Sequence, residues 1–362
     1  MRAAVLRGAE PLRVEQLTLD GPEAGEVLVR IAACGVCHSD LHVANRIRGT
    51  GSVAPIVLGH EAAGVVEAVG EGVRSLRQGD HVVLAFHPAC GACFQCDSGR
   101  PQLCERPDNP ERSMRGPRPR LTAGGEPVQQ GVGIGGFAEY TVMPERGVVK
   151  VRDDAPLDVI ALIGCGVTTG VGAVINAARV EPGSDVAVIG LGGVGLNIVQ
   201  GARLAGARRI IAVDVVAGKL KTAERFGATH FVNSADTDPV AEVQSITGGR
   251  LDYAFEAIGL AKTVSQAFAM VRPGGTAVVV GLVSEPVTIP GFELLREKRL
   301  IGTIYGSASI HVDIPRLVDL YMDGKLLLDE LVSRRRPLAE VNEAFADMEG
   351  GLVARTVLDP HA

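Results

Sequence analysis

With 362 residues the chain exceeds the ~250–300 at which a single hydrophobic core stops growing, so two domains are expected. Its 46% hydrophobic content suffices for large cores, and a formal charge of -6 argues against a nucleic-acid partner. The start, MRAAVLRGAEPLRVEQ, alternates apolar and polar residues, and no stretch reaches the ~18 apolar residues of a membrane span. The expectation is a soluble, cytoplasmic chain with no membrane partner, whose thiols stay reduced.

Residues 1 to about 150 carry short alternating patterns (EVLVRIAAC, AAGVVEAVG, DHVVLAF) broken by glycine and proline, which predicts a β-rich domain. Inside it, CGACFQCDSGRPQLC holds four of the seven cysteines. C-x2-C spacing in a reducing compartment points to metal, and Cys90, Cys93, Cys96 and Cys104 match a closed, all-thiolate zinc site. Such a site leaves no position for substrate, so its expected role is structural. The stretch that follows, ERPDNPERSMRGPRPR, has five arginines and four prolines and reads as an exposed, solvated loop over residues 105–120.

From about residue 165 the rhythm changes to strand, helix, strand. DVAVIG precedes a helical run to Ala205, followed by RRIIAVD, a helix over 219–226, HFVN, a helix near 239–247, LDYAFEAIG, a helix near 261–271, TAVVVGL and KRLIGTI. This alternation predicts an α/β domain, a doubly wound parallel sheet of Rossmann type. The last ~60 residues return to a mixed pattern ending in ARTVL and are expected to rejoin the first domain.

Gly190, Gly192, Gly193, Val194 and Gly195 lie in GLGGVG, a match to G-x-G-x-x-G after an apolar strand and before a helix. A turn without side chains lets a pyrophosphate approach the backbone at a helix N-terminus. Asp214, nineteen residues after Gly195, would accept hydrogen bonds from ribose hydroxyls and repel a 2'-phosphate, favouring NAD over NADP. The other cysteines and histidines are scattered: Cys37 and His42 in CGVCHSDLH, His60 and Glu61 in GHE, Cys165 in GCG. Two thiolates and one imidazole can make a three-ligand zinc site open to water or substrate, but spacing alone does not select these residues.

CGVCHSDLH, LGHEAAGVVEAVGEGV, the four-cysteine lobe, GCGVTTG, GLGGVGL, FEAIG and ARTVL occur in the order seen in zinc-dependent alcohol dehydrogenases of the medium-chain dehydrogenase/reductase superfamily, and the resemblance spans essentially the whole chain. It implies a GroES-like β-rich catalytic domain over 1–165 and 305–362, interrupted by a Rossmann NAD-binding domain over 166–304. It implies two zinc ions per chain, with Cys37, His60 and Cys165 as catalytic ligands. Ser39 and His42 resemble a proton relay, Glu61 a nearby carboxylate, Thr169 a nicotinamide contact and Phe86 a pocket-lining aromatic. His38 and Arg355 resemble pyrophosphate contacts, and Asp214 and Lys219 contacts to the adenosine ribose. Cys34 has no matching role and is expected to be a buried thiol. The implied reaction moves a hydride between NAD and an alcohol, giving aldehyde or ketone. Zinc can acidify the hydroxyl, and His42 can exchange protons near neutrality.

Glutathione-dependent formaldehyde dehydrogenases share the long segment after the cysteine lobe but carry acidic residues between the first two catalytic ligands. Here LHVANRIRGTGSVAPIVLGH has none, and has Arg46 and Arg48 instead, which argues against a glutathione adduct; together with the five-arginine loop it suggests a cationic entrance for an anionic or thiol-conjugated alcohol. Cysteine at 165, where polyol dehydrogenases commonly have glutamate, favours simple, primary alcohols. A nicotinoprotein with retained cofactor and a non-catalytic NAD-binding protein are the alternatives. The long segment between Cys104 and Gly136 resembles dimeric members, so a homodimer is expected.

Overall fold

The computed structural model describes residues 1–50, 55–105, 119–351 and 353–362. The chain divides into two compact units, Met1–Gly166 with Ser309–Ala362, and Val167–Ala308. The return crossing lies a few residues beyond the 304/305 boundary read from sequence. The turn Tyr305–Ser307 belongs to the second unit, where a Cβ on Gly172 would stand 2.4 Å from the Gly306 carbonyl oxygen.

In chain order the strands of the first unit begin with β1 (Arg2–Leu6), β2 (Arg13–Gln16), β3 (Thr18–Leu19), β4 (Glu26–Gly35), β5 (Ile56–Val57) and β6 (Glu61–Val69). Next come β7 (His81–Leu84), β8 (Leu121–Ala123), β9 (Glu126–Gln130), β10 (Tyr140–Pro144) and β11 (Val148–Lys150). The second unit holds β12 (Asp185–Ile189), β13 (Arg209–Asp214), β14 (His230–Asn233), β15 (Leu251–Glu256), β16 (Val271–Val279) and β17 (Arg299–Gly302), before β18 (Val332–Pro337) and β19 (Arg355–Asp359) return to the first.

The main sheet of the first unit runs β11-β7-β6-β4-β19-β18, with β10 also pairing β4, and a smaller sheet runs β2-β1-β5-β9-β8-β3. In β4 the alternation of EVLVRIAAC buries Val27, Val29, Ile31 and Ala33 on one face, as the period of two requires. β19 pairs antiparallel with the end of β4, Leu358 opposite Cys34. The mixed tail pattern resolves into the helices Ile310–Met322 and Val341–Glu349, and the second of these buries Val341, Ala344, Phe345 and Met348.

The sheet of the second unit is parallel, in the order β14-β13-β12-β15-β16-β17. DVAVI of β12 is buried at every position, as befits a strand covered on both faces. The chain steps from β12 through β13 to β14 and then returns to the other side of β12 as β15. The switch point therefore lies between β12 and β15, where open α/β sheets form their ligand crevice.

Of the arginine-rich loop, residues 106–118 lie outside the described residues. Arg120, read as part of a solvated face, is instead 6% exposed and donates to Glu23 (2.9 Å) and Glu26. Two carboxylates compensate its burial, as a buried charge requires. Among the described residues no single helix is long and apolar enough to cross a membrane.

Candidate active site and cofactor turn

Cys37 ends the turn after β4, and the helix His38–Thr50 starts at the next residue. His60 and Glu61 open β6, and Cys165 follows the short helical turn Ala161–Gly164. The fold gathers Cys37, His60, Glu61 and Cys165 into one buried cluster of the first unit, with ligand atoms all within 4.8 Å of one another. Three sequence-distant segments thus supply the donor set that spacing could not select.

The two thiols share a hydrogen bond. Accepting it pulls Cys37 well below the ordinary thiol range against the cost of burial, and the same contact, together with burial, pushes Cys165 well up. A pair of sulfurs competing for one proton beside an imidazole is a donor set that a soft dication satisfies better than a proton does. Ser39 Oγ lies 3.8 Å from Cys37 Sγ.

Around these four residues is a layer the sequence reading only partly anticipated. Asp40, 4% exposed, accepts from the Gly59 N–H (3.0 Å) and stands 2.9 Å from His60 Nδ1. Burial opposes a charge on His60, but the Asp40 carboxylate outweighs it and holds the ring well above the usual histidine range. An Nδ1–H given to Asp40 leaves Nε2 as the ring's ligand atom. Asp40 was missed because it reads as an ordinary acidic residue in a first helical turn. Its position three residues after a candidate ligand was the available signal.

Glu61 is fully buried and accepts from Arg355 Nε (3.2 Å) and Nη2 (3.3 Å) and from the Gly166 N–H (3.1 Å). Burial pushes its carboxyl up to about 7 against the pull of Arg355. Three donors and no acceptor on this carboxylate favour its ionised form beside the guanidinium. Arg355, expected as a pyrophosphate contact, here donates to Glu61 beside the Cys37–His60–Cys165 cluster. Phe86 meets the His60 ring edge-to-face, centroids 5.5 Å apart. His38 and His42 are exposed and Ser39 half-buried, all on one helix. Cys34 is a fully buried thiol whose Sγ hydrogen-bonds the Gly35 carbonyl (3.7 Å).

Cys90, Cys93, Cys96 and Cys104 form a second cluster. Cys93–Cys96, Cys90–Cys96 and Cys93–Cys104 sulfurs stand 3.5, 3.9 and 3.9 Å apart. A tetrahedron of sulfurs at ~2.3 Å from zinc has edges of about 3.8 Å, so the spacing fits a closed site. Backbone N–H groups of Cys90, Ala92 and Glu105 point at Cys104, Cys90 and Cys93 sulfurs, and the bond from Glu105 leads in drawing Cys93 down to about 6.

In the second unit the glycine-rich turn joins β12 to the helix Gly193–Leu204. Gly190 has φ 91°, and a Cβ on Gly195 would stand 1.8 Å from the Gly190 carbonyl oxygen, so both positions require glycine. A Cβ on Gly192 would meet nothing within 4 Å, which leaves open the space a pyrophosphate needs. Asp214, at the end of β13, accepts from Leu191 N (2.8 Å) and Val216 N (2.9 Å), so it also braces the turn. Lys219 is half-buried in the helix Ala217–Phe226, and Thr169 half-buried in the helix Gly166–Gly172.

A sulfur-rich ligand cluster with an imidazole, carried in one chain with a dinucleotide turn, defines a metal-dependent dehydrogenase. Residues 23–153 match the alcohol dehydrogenase GroES-like domain and residues 193–322 the zinc-binding dehydrogenase family. The chain is 41% identical to the S-(hydroxymethyl)glutathione dehydrogenase of Paracoccus denitrificans over 99% of each chain, and 42% identical to the NDMA-dependent alcohol dehydrogenase of Amycolatopsis methanolica over 99% of this chain and 98% of that one. The crystal structure of benzyl alcohol dehydrogenase from Acinetobacter calcoaceticus superposes with a TM-score of 0.89 at 34% identity, covering 99% of this chain and 98% of that one. The chain belongs to the zinc-dependent alcohol dehydrogenases of the medium-chain dehydrogenase/reductase superfamily. It is an oxidoreductase, with zinc and a nicotinamide dinucleotide as its cofactors.

Proposed function

We propose that the chain oxidises a primary alcohol to the aldehyde with NAD, using the cluster of Cys37, His60 and Cys165 as its catalytic zinc site. The gathering of these three donors in one buried cluster carries this reading. When bound, zinc acidifies the substrate hydroxyl and NAD accepts the hydride. The residues do the rest. Asp40 fixes the His60 tautomer, and Arg355 compensates Glu61 in the desolvated site. Ser39 takes the hydroxyl proton and His42, exposed, passes it to water, while Phe86 walls the pocket. In the second unit Gly190, Gly192, Gly193, Val194 and Gly195 form the pyrophosphate turn, Asp214 and Lys219 hold the ribose, and Thr169 contacts nicotinamide. His38 contributes a pyrophosphate contact. Cys90, Cys93, Cys96 and Cys104 hold a second, structural zinc.

A second reading, oxidation of a thiol-conjugated alcohol, draws on the 41% identity to an S-(hydroxymethyl)glutathione dehydrogenase. Against a glutathione adduct in particular, LHVANRIRGTGSVAPIVLGH has none of the acidic residues of the glutathione-dependent enzymes, although the exposed Arg46 suits an anionic or thiol-conjugated substrate. A homodimer is supported by Leu282, Phe292, Leu294 and Leu295, 64, 72, 49 and 79% exposed in the second unit, whose sheet ends in the edge strand β17. A cytoplasmic location fits seven cysteines without a disulfide.

The test follows 340 nm absorbance with NAD or NADP over neutral, carboxylate-bearing and thiol-conjugated alcohols, on protein assayed for metal. The expected outcome is two zincs per chain and NAD reduction fastest with primary alcohols. Preference for the conjugate selects the second reading, and no reduction of either cofactor by zinc-replete protein rejects both.

A further inference from the structure

Glu256 closes β15 at the carboxyl edge of the parallel sheet and is fully buried. Its Oε1 gathers three donors: the Ile258 N–H at 2.9 Å, the Gly259 N–H at 2.7 Å and the Thr263 hydroxyl at 2.8 Å. Oε2 is buried too and meets no hydrogen-bond partner among the described residues. The backbone seals this oxygen in, since a Cβ on Gly281 would stand 2.8 Å from it and 2.2 Å from the Gly259 nitrogen. Burying a carboxylate is costly, and a turn of this kind can be capped by a neutral side chain. What distinguishes this turn is the surface it presents.

The residue it carries, Ile258, lies against the first glycine of the dinucleotide turn. A Cβ on Gly190 would meet Ile258 Cγ1 at 2.4 Å and the Ala257 carbonyl carbon at 3.3 Å. The Ala257 N–H also donates to the Ile189 carbonyl (2.9 Å), so the ends of β12 and β15 are joined at the switch point. Ile258 keeps 45% of its surface exposed and is therefore a wall rather than core. The adjacent Leu260 is 51% exposed.

We propose that Glu256 is a positioning residue of the cofactor site: by clamping the turn that carries Ile258, it fixes the wall of the dinucleotide crevice against Gly190. The proposal rests on the reading that this crevice binds NAD. Its action is indirect, through Ile258, and that makes it separable from a simple contribution to folding.

The test titrates NADH fluorescence with zinc-loaded wild-type protein and variants, alongside kcat and KM for NAD. Loss of charge-assisted bonds to two backbone N–H groups in Glu256→Ala should weaken NADH binding by about tenfold to a hundredfold. KM for NAD should rise by a larger factor than kcat falls. Glu256→Gln keeps a carbonyl at Oε1 and should recover affinity to within about threefold of wild type. Ile258→Ala should weaken binding too, and the double variant should be no weaker than the weaker single, because both act on one contact. Unchanged NADH affinity in Glu256→Ala, a double variant whose loss is the product of the singles, or equal losses in kcat and kcat/KM would each overturn the proposal. Should Glu256→Ala fail to fold, Gly281→Ala presses on the same clamp from the opposite side, and wild-type affinity there overturns it equally. Wild-type protein that binds NADPH but not NADH rejects the NAD reading and this proposal with it.

Discussion

Asp40 reaches the proposed zinc cluster of Cys37, His60 and Cys165 through one hydrogen bond to His60 and one to the backbone at Gly59, so it fixes both the ring and the segment that bears it. Removing such a partner of a ligating histidine typically lowers metal affinity about 10–100-fold. Asp40→Ala should therefore lose zinc from one of two sites during dialysis against a weak chelator, read as metal per chain, while the four-cysteine site stays loaded. Equal retention by variant and wild type would show that His60 needs no orientation. Residues of this kind were hard to read from sequence. Ligand chemistry announces itself by residue type, whereas Asp40 and the buried pairing of Arg120 depend on segments brought close by folding. Arg120 looked solvated because its neighbours in sequence are prolines and arginines; its neighbours in space are Glu23 and Glu26.

Most strands and helices of the second unit from β12 onward were legible, because they bury faces set by a local period, but the helical run over 166–178, the short helix Gly291–Leu294 and the early start of β16 at Val271 were not. The helices near 239–247 and 261–271 became Pro239–Thr247 and Ala261–Met270. Of the tail only the closing strand in ARTVL, now β19, was legible. β18 and β19 complete a sheet begun more than three hundred residues earlier, and that pairing is long-range. Between β7 and β11, neighbours in this sheet, sits a pair that tests inter-strand electrostatics: Asp80, just before β7, accepts from Lys150 of β11 at 2.7 Å and from the Arg77 N–H at 3.0 Å. Burial raises the Asp80 carboxyl, but these donors hold it below the usual carboxylate range. A depressed folded pKa gives stability that is present above the unfolded value, ~3.9, and lost as pH falls through the folded one. Lys150→Met should therefore cost about 1 kcal/mol in urea unfolding at pH 7, and the gap to wild type should close below about pH 4. A gap that stays constant with pH would assign the loss to packing.

At the scale of the molecule, the second unit leaves Phe292, Leu294 and Leu295 exposed on the segment that leads into the edge strand β17. An edge unpaired among the described residues, beside apolar side chains, invites a two-fold partner of the same kind. Leu295→Asp should shift the sedimentation of the proposed dimer to that of a monomer without lowering the zinc content. A variant that sediments as wild type would move the interface elsewhere.

The order in which the ribosome delivers the segments adds a constraint of timing. Val167–Ala308 emerges whole and can close its parallel sheet at once, whereas Glu61, already synthesised, waits 294 residues for Arg355. Until β19 has emerged to pair with β4, the cluster beside Glu61 holds an uncompensated carboxylate and an open sheet edge. A nascent chain stalled before residue 355 should therefore expose Cys37 and Cys165 to thiol reagents that the finished protein, in which both are buried, excludes.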